Sequence, residues 1–438
     1  MIKPYLNFKF EQTFRRFLNI NFIKKLPLPY SICLLPLYLL SLTCTFPQDK
    51  ELLTGADVLV RDHLDLLKGK STGIVTNHTS ILNSGTHLVD TLNSLDEINI
   101  TALFGPEHGI RGMSAAGKEI ESGTDILTGI PVYSLYGKDK KPTAEMLKGI
   151  DILIYDIQDV GVRFYTYIST MFYVLQAAAE NNIPVIVLDR PNPIDGVTIE
   201  GPVLDEDLKS FVGITPIPVR YGMTAGELTN YFSGEGLLGN NLKPDLTIIK
   251  MEGWRREKYY NDYDLPWVSP SPNIPDLQSA LVYPGTCLLE GTNISEGRGT
   301  KNPFNTIGAP FIKSEELIIE LNKNNLSGVE LNPVSFTPVA IPGTAEHPKY
   351  KNELCHGIFI NVIEKEKFKG FEFGIKLLSA LVKLYPETFK FNSYFDKLAG
   401  DKGLTESLLQ GKPVEEIFSE WQKEINNFKS VRNKYLLY

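Results

Sequence analysis

Ile150-Asp-Ile-Leu-Ile-Tyr155, an amphipathic stretch over 167–180 and Ile183-Pro-Val-Ile-Val-Leu188 follow one another within forty residues. The two apolar runs are rich in β-branched residues and too short for buried helices. The stretch between them carries apolar residues at helical spacing. Strand, helix, strand is the natural reading, and two strands joined by a helix run parallel. Upstream the pattern repeats, with Ser71-Thr-Gly-Ile-Val-Thr76 and Ile98-Asn-Ile-Thr-Ala-Leu-Phe104 as strands and a helix over 87–95 between them. Four runs that are apolar on both faces predict an α/β, Rossmann-like domain whose mainly parallel sheet is covered on both sides. No GxGxxG follows any of the strands, so the sheet need not hold a dinucleotide, and no cofactor is expected.

In parallel sheets ligands gather at the carboxyl ends of the strands. The polar clusters fall there: Thr76-Asn77-His-Thr-Ser80 after the first strand, Gly105-Pro-Glu107-His108-Gly109 after the second, Asp156-Ile-Gln-Asp159-Val-Gly161 after the third and Asp189-Arg190-Pro-Asn-Pro193 after the fourth. Residues 267–275 hold three prolines in nine positions, which excludes regular helix and central strand and suggests a hinge. Beyond it come a loop-rich region over 284–310 and helices over 312–324, 370–385 and 414–427. The resulting division of the 438 residues is a leader over 1–47, a Rossmann-like domain over 48–274 and a smaller α+β domain over 275–438, with the active site in the cleft between the two domains.

The leader combines six basic residues and one acid before residue 26 with an apolar run over 31–43, too short to span a bilayer comfortably. This pattern predicts export to the periplasm or cell envelope. Cys44 directly after the apolar run suggests a lipid attachment point and hence a membrane anchor. An incidental cysteine in a secretory signal is the alternative. Cys287 and Cys355 show no metal spacing and read as small buried residues. A net charge of -8 removes the basic face that nucleic-acid binding requires.

Glu107 and His108 sit in a turn shaped by Gly and Pro, where a partly desolvated carboxyl group could serve as a general acid and the imidazole could orient it or bind a sugar hydroxyl; a polar turn with a solvated Glu is the alternative. Asp156 and Asp159, with Arg163 and Tyr165, make a polar set suited to a sugar; a capping ion pair is the alternative. Asp189 and Arg190 have a competing reading as a turn with a surface ion pair. The stretch from Glu290 through Asn293, Glu296 and Arg298 to Thr300 lacks a hydrophobic anchor, as expected of a loop that closes over a ligand; a mobile surface loop is the alternative. No HExxH, P-loop or GxSxG motif is present, and no metal is expected.

These blocks, together with Tyr133-Ser-Leu-Tyr-Gly137, Arg220-Tyr-Gly-Met-Thr and Pro284-Gly-Thr-Cys-Leu-Leu-Glu290, occur in the order found in the NamZ-like exo-β-N-acetylmuramidases, which the chain resembles from about residue 52 onward. The resemblance implies a Rossmann-like domain, a smaller second domain, and cofactor-free removal of terminal β-linked N-acetylmuramic acid from peptidoglycan fragments, with Glu107 as the catalytic glutamate. Its substrates would be peptidoglycan-derived amino sugars. Asn77 and His108 are expected to position the acid or the sugar. For the second carboxylate Asp159 is preferred, with Asp156 and Glu296 in competition. For the lactyl carboxylate of muramic acid the candidates are Arg163 and Arg298, with Arg220 in reserve. A silent peptidoglycan-binding lipoprotein, or a hydrolase of another amino sugar, is the alternative.

Overall fold

The structure, a computed structural model, describes residues 51–112 and 122–438. The predicted leader and Cys44 lie outside the described residues.

The larger sheet holds seven strands: β1 (Ser71–Thr76), β2 (Asn99–Gly105), β3 (Gly123–Thr124), β4 (Pro131–Ser134), β5 (Ile152–Asp156), β6 (Val185–Leu188) and β7 (Leu246–Ile249). Their order is β3-β4-β2-β1-β5-β6-β7, and every pair is parallel except β3 with β4. Alternation within each strand feeds two cores. Leu153, Tyr155, Val185 and Val187 enter one, while Ile152, Ile154, Ile186 and Leu188 enter the other. At about 1.5–3 kcal/mol for each large apolar side chain buried, this two-sided burial fixes the register.

Helices α1 (Gly55–Asp62) and α2 (Leu88–Asn93) cover one face. Helices α3 (Tyr167–Asn181) and α4 (Ala225–Gly234) cover the other. The strand order turns back between β1 and β5, so the crevice for a ligand opens at the carboxyl ends of β1, β2 and β5. The sequence reading missed β3, β4 and β7, which are only two to four residues long and lie toward the sheet edges, where burial leaves a weaker pattern.

Helix α5 (Leu277–Thr286) opens the second lobe and runs through Pro284, followed by a 3-10 turn over Cys287–Gly291, where the sequence suggested only loop. Tertiary packing overrides the proline. Gly285 lies against α7 (Gly370–Leu384) so closely that a Cβ there would fall 2.1 Å from the Gly370 carbonyl oxygen. The antiparallel sheet β8-β10-β9, formed by β8 (Thr306–Ala309), β9 (Val329–Phe336) and β10 (Cys355–Val362), packs with α6 (Ser314–Asn322). Helices α8 (Phe395–Ala399), α9 (Leu404–Leu409) and α10 (Val414–Arg432) complete the chain.

After α10 the chain returns to the larger lobe. Arg432 donates to the carbonyl of Gly222 (2.9 Å), and the Tyr438 hydroxyl donates to Asp189 (2.8 Å). The proline-rich segment at 267–275 is irregular but pinned. His78 Nε2 donates to the Ser269 carbonyl (2.7 Å), Tyr167 to that of Pro270 (2.7 Å), and Asn273 to that of Thr344 (3.0 Å).

Candidate active site

Strand β2 delivers Glu107 in a tight turn closed by the Gly109 amide on the Pro106 carbonyl (3.0 Å). His108 takes a φ of 73° in this turn, a left-handed conformation that disfavours residues with a Cβ. Such strain persists only where the surroundings impose it, and it sets the direction of the buried imidazole. The Thr166 hydroxyl, immediately before α3, donates to Glu107 Oε2 (3.4 Å). Glu107 thus lies at the amino end of a 15-residue helix. The Tyr136 phenol also bonds to Glu107, and burial, then the carboxylate, pushes its pKa well up, so that it remains a neutral donor.

The opposite wall comes from the second lobe. Arg298 donates to Glu290 Oε1 through Nη2 (2.8 Å) and Nε (3.3 Å), and lies 3.6 Å from Glu296. Lys349 pairs with Glu296 (3.1 Å) and also donates to the carbonyls of Leu289 (2.7 Å) and Ile294 (2.9 Å), which holds the loop rigid. Burial works against the Arg298 charge, but Glu290 and Glu296 outweigh it and raise its pKa. Gly297, at φ 80°, passes so near the Thr306 carbonyl that a Cβ would meet it at 2.1 Å.

Between the walls lies a cavity of about 750 Å³, within the usual range for small-molecule sites. Glu107, His108, Tyr136 and Thr166 line one side, and Glu290, Arg298, Tyr283 and Tyr394 the other. The phenol of Tyr136 senses the charges of both Glu107 and Arg298, and that of Tyr394 those of both Glu107 and Glu290. Phe164, Tyr283 and Phe304 form an aromatic floor, with ring centroids 5.3 and 4.8 Å apart. Among the described residues, no group of three or more His, Cys, Asp or Glu side chains could hold a metal ion.

Of the residues expected at the site, Glu107, His108, Tyr165, Glu290 and Arg298 line this cavity, and the others do not. Arg163 is fully buried and donates to the carbonyls of Pro202 and Ile217 (both 2.8 Å), Leu398 (3.1 Å) and Ala399 (2.6 Å), so it ties the lobes together instead of meeting a ligand. Asp156 grips Arg190 through two bonds (2.5 and 2.9 Å) and accepts from Ser80; both members of this pair are buried, not on the surface. Arg220 is sealed between Asp195 (2.7 Å) and Glu200 (2.8 Å).

Asp189 caps α4, accepting from the Gly226 amide (2.8 Å) and the Thr224 hydroxyl (2.7 Å). Asp159 accepts from the Gly161 amide (2.7 Å) and from Tyr221, and burial pushes its pKa up to about 6. Asn77 accepts from the Thr79 amide (3.0 Å) in a buried turn, Asn293 clasps the backbone of Thr388 (2.8 Å) and Lys390 (2.8 Å), and Glu296 lies behind Arg298. The shared reason is depth. A short polar cluster at a strand end supplies both the ligand rim and the buried ties that hold it, and sequence alone does not separate them.

Residues 72–278 match the family described as exo-beta-N-acetylmuramidase NamZ, N-terminal, and residues 281–438 match its C-terminal counterpart. The chain belongs to the NamZ exo-β-N-acetylmuramidase family. The peptidoglycan beta-N-acetylmuramidase NamZ of Bacillus subtilis (strain 168) is 49% identical over 387 residues, covering 88% of this chain and 91% of that protein. Two crystal structures of DUF1343 family proteins from Bacteroides fragilis NCTC 9343 share the fold. One matches with a TM-score of 0.82 at 37% identity over 90% of this chain and all of that one. The other has a TM-score of 0.72 at 35% identity, covering 89% of this chain and 99% of that one.

Several cavity residues of this NamZ-family chain carried little signal in the sequence. Tyr136 and Thr166 stand within recognisable blocks and directly after strand ends, which could have singled them out. Lys140, Glu346, His347 and Tyr394 come from loops without any pattern, and Lys397 from the short helix α8.

Proposed function

We propose that this chain hydrolyses the β-glycosidic bond of N-acetylmuramic acid at the non-reducing end of peptidoglycan fragments, with Glu107 as general acid and Glu290 as the second carboxylate. The observation that carries the chemistry is the pairing across one cavity of Glu107, set among the hydroxyls of Thr166 and Tyr136, with Glu290, held in an ion pair by Arg298. Glycoside hydrolysis asks for two carboxyl groups in unlike surroundings: one gives a proton to the departing oxygen, and the other supports the positive charge that develops at the anomeric carbon or activates water. Glu290 replaces Asp159 in this second role, because Asp159 does not line the cavity. His108 positions Glu107. The aromatic floor suits the apolar faces of a sugar ring.

The test is product analysis on a short glycan with N-acetylmuramic acid at its non-reducing end. Stepwise release of the free monosaccharide is expected; internal cleavage, or release only from glucosamine-ended chains, would refute the reading. We further propose that the protein is exported and held at the envelope through a lipid on Cys44, where it would serve the breakdown and recycling of muropeptides. The basic and apolar leader supports this. Fractionation of cells carrying Cys44→Ser should move the protein from the membrane to the soluble exported fraction, and unchanged membrane association would count against the anchor.

A further inference from the structure

We propose that Lys140, standing on the ring of Phe211, is the residue that recognises the lactyl carboxylate of the substrate. The inference rests on the muramidase reading above and names the group that would separate muramic acid from glucosamine, sugars that differ only by the lactyl ether. A cavity that selects this carboxylate needs a cation whose charge is not already cancelled. Arg298, the obvious choice, is committed to Glu290 and Glu296, and with Lys349 also on Glu296 this cluster of two cations and two carboxylates is already neutral, so it leaves no uncancelled charge for a further anion. Arg163 and Arg220 are buried in other contacts.

Lys140 lines the cavity, and among the described residues it is its neighbour Lys141 that pairs with Glu180 (2.7 Å), not Lys140. Its Nζ lies 4.7 Å from the Phe211 ring centroid. That ring is itself backed by Tyr173 in a stacked arrangement at 6.3 Å and flanked by Tyr136 at 6.3 Å. The aromatic ledge gives a long, flexible side chain a preferred place without neutralising it. It also puts the ammonium on the same wall as Tyr136, which bonds to the proposed acid. Lys397, from the second lobe, is the other cavity-lining lysine.

The experiment compares the wild type, Lys140→Met and Lys397→Met on an aryl β-N-acetylmuramide and on its lactyl methyl ester. Methionine keeps an apolar stem on the Phe211 ring. The acid-to-ester ratio of kcat/KM should fall about 10- to 100-fold in Lys140→Met, the value of one charge-assisted contact. An unchanged ratio, or a fall confined to Lys397→Met, would overturn the assignment. Calorimetric binding of free N-acetylmuramic acid and its methyl ester to the same proteins answers the same question without turnover. A wild type that binds but does not hydrolyse would therefore count against the enzymatic reading and leave the Lys140 result decisive.

Discussion

Replacing Arg163 by methionine should weaken the fold and leave substrate preference alone. The guanidinium serves four buried carbonyls, those of Pro202, Ile217, Leu398 and Ala399, at 2.6–3.1 Å. Methionine fills the space of the stem and leaves these acceptors without donors, at about 1 kcal/mol each or roughly 4 kcal/mol together. Part of this is offset, since burial of the guanidinium is itself unfavourable and pulls its pKa down to about 9. A net loss of about 2–4 kcal/mol remains. For a folded unit of roughly 390 residues, an unfolding entropy of about 0.8 kcal/mol per kelvin converts this to a Tm about 2–5 °C lower. Scanning calorimetry reads the shift, and the relative kcat/KM for muramide and glucosaminide substrates reads specificity. A variant with unchanged Tm that has lost its preference for muramide would place Arg163 against the substrate and refute the reasoning.

Other consequences separate the carboxyl groups. Glu290→Gln should lower kcat by about 10²- to 10⁴-fold, while Asp159→Asn should stay within about tenfold of wild type; the reverse order in steady-state rates would return Asp159 to the chemistry. Asp189 has a folded pKa raised to about 6 by burial, against 3.8 ordinarily. Between about pH 4 and 6 the folded state therefore keeps a proton that the unfolded state releases, so this group's contribution falls as pH rises through that window and is level on either side. Relative to Asp189→Asn, the wild type should lose about 2 kcal/mol between pH 4 and 7, read by denaturant titration at each pH. A difference independent of pH would show that Asp189 is ionised throughout.

Much of the fold was legible because its central strands obey simple physics. Ile150–Tyr155 and Ile183–Leu188 are buried on both faces, so their apolar runs are unbroken, and the intervening helix carries its own period. The short strands β3, β4 and β7 bury less and leave weaker traces. Helix α5 was hidden by Pro284, which the glycine contact with α7 accommodates. At the site, the Gly-Pro turn that carries Glu107 was legible as a polar cluster at a strand end, and Glu107 lines the cavity there. Arg163, Asp156 and Arg220 lie outside the cavity, Arg163 on buried carbonyls and the other two in buried ion pairs, and in sequence such residues look the same as charged residues that line a cavity; only depth distinguishes them. Tyr394 and Lys140 arrive from distant loops, and their approach to the cavity is a property of the tertiary arrangement alone.

In the proposed mechanism Glu107 gives the proton to the leaving group. The most direct measurement compares Glu107→Gln with wild type on two muramides, one with a sugar leaving group and one with a dinitrophenyl group that departs without protonation. A loss of about 10³-fold or more is expected on the sugar and a much smaller loss on the activated aryl substrate. Equal losses on both, or near-normal turnover of the sugar substrate, would contradict it.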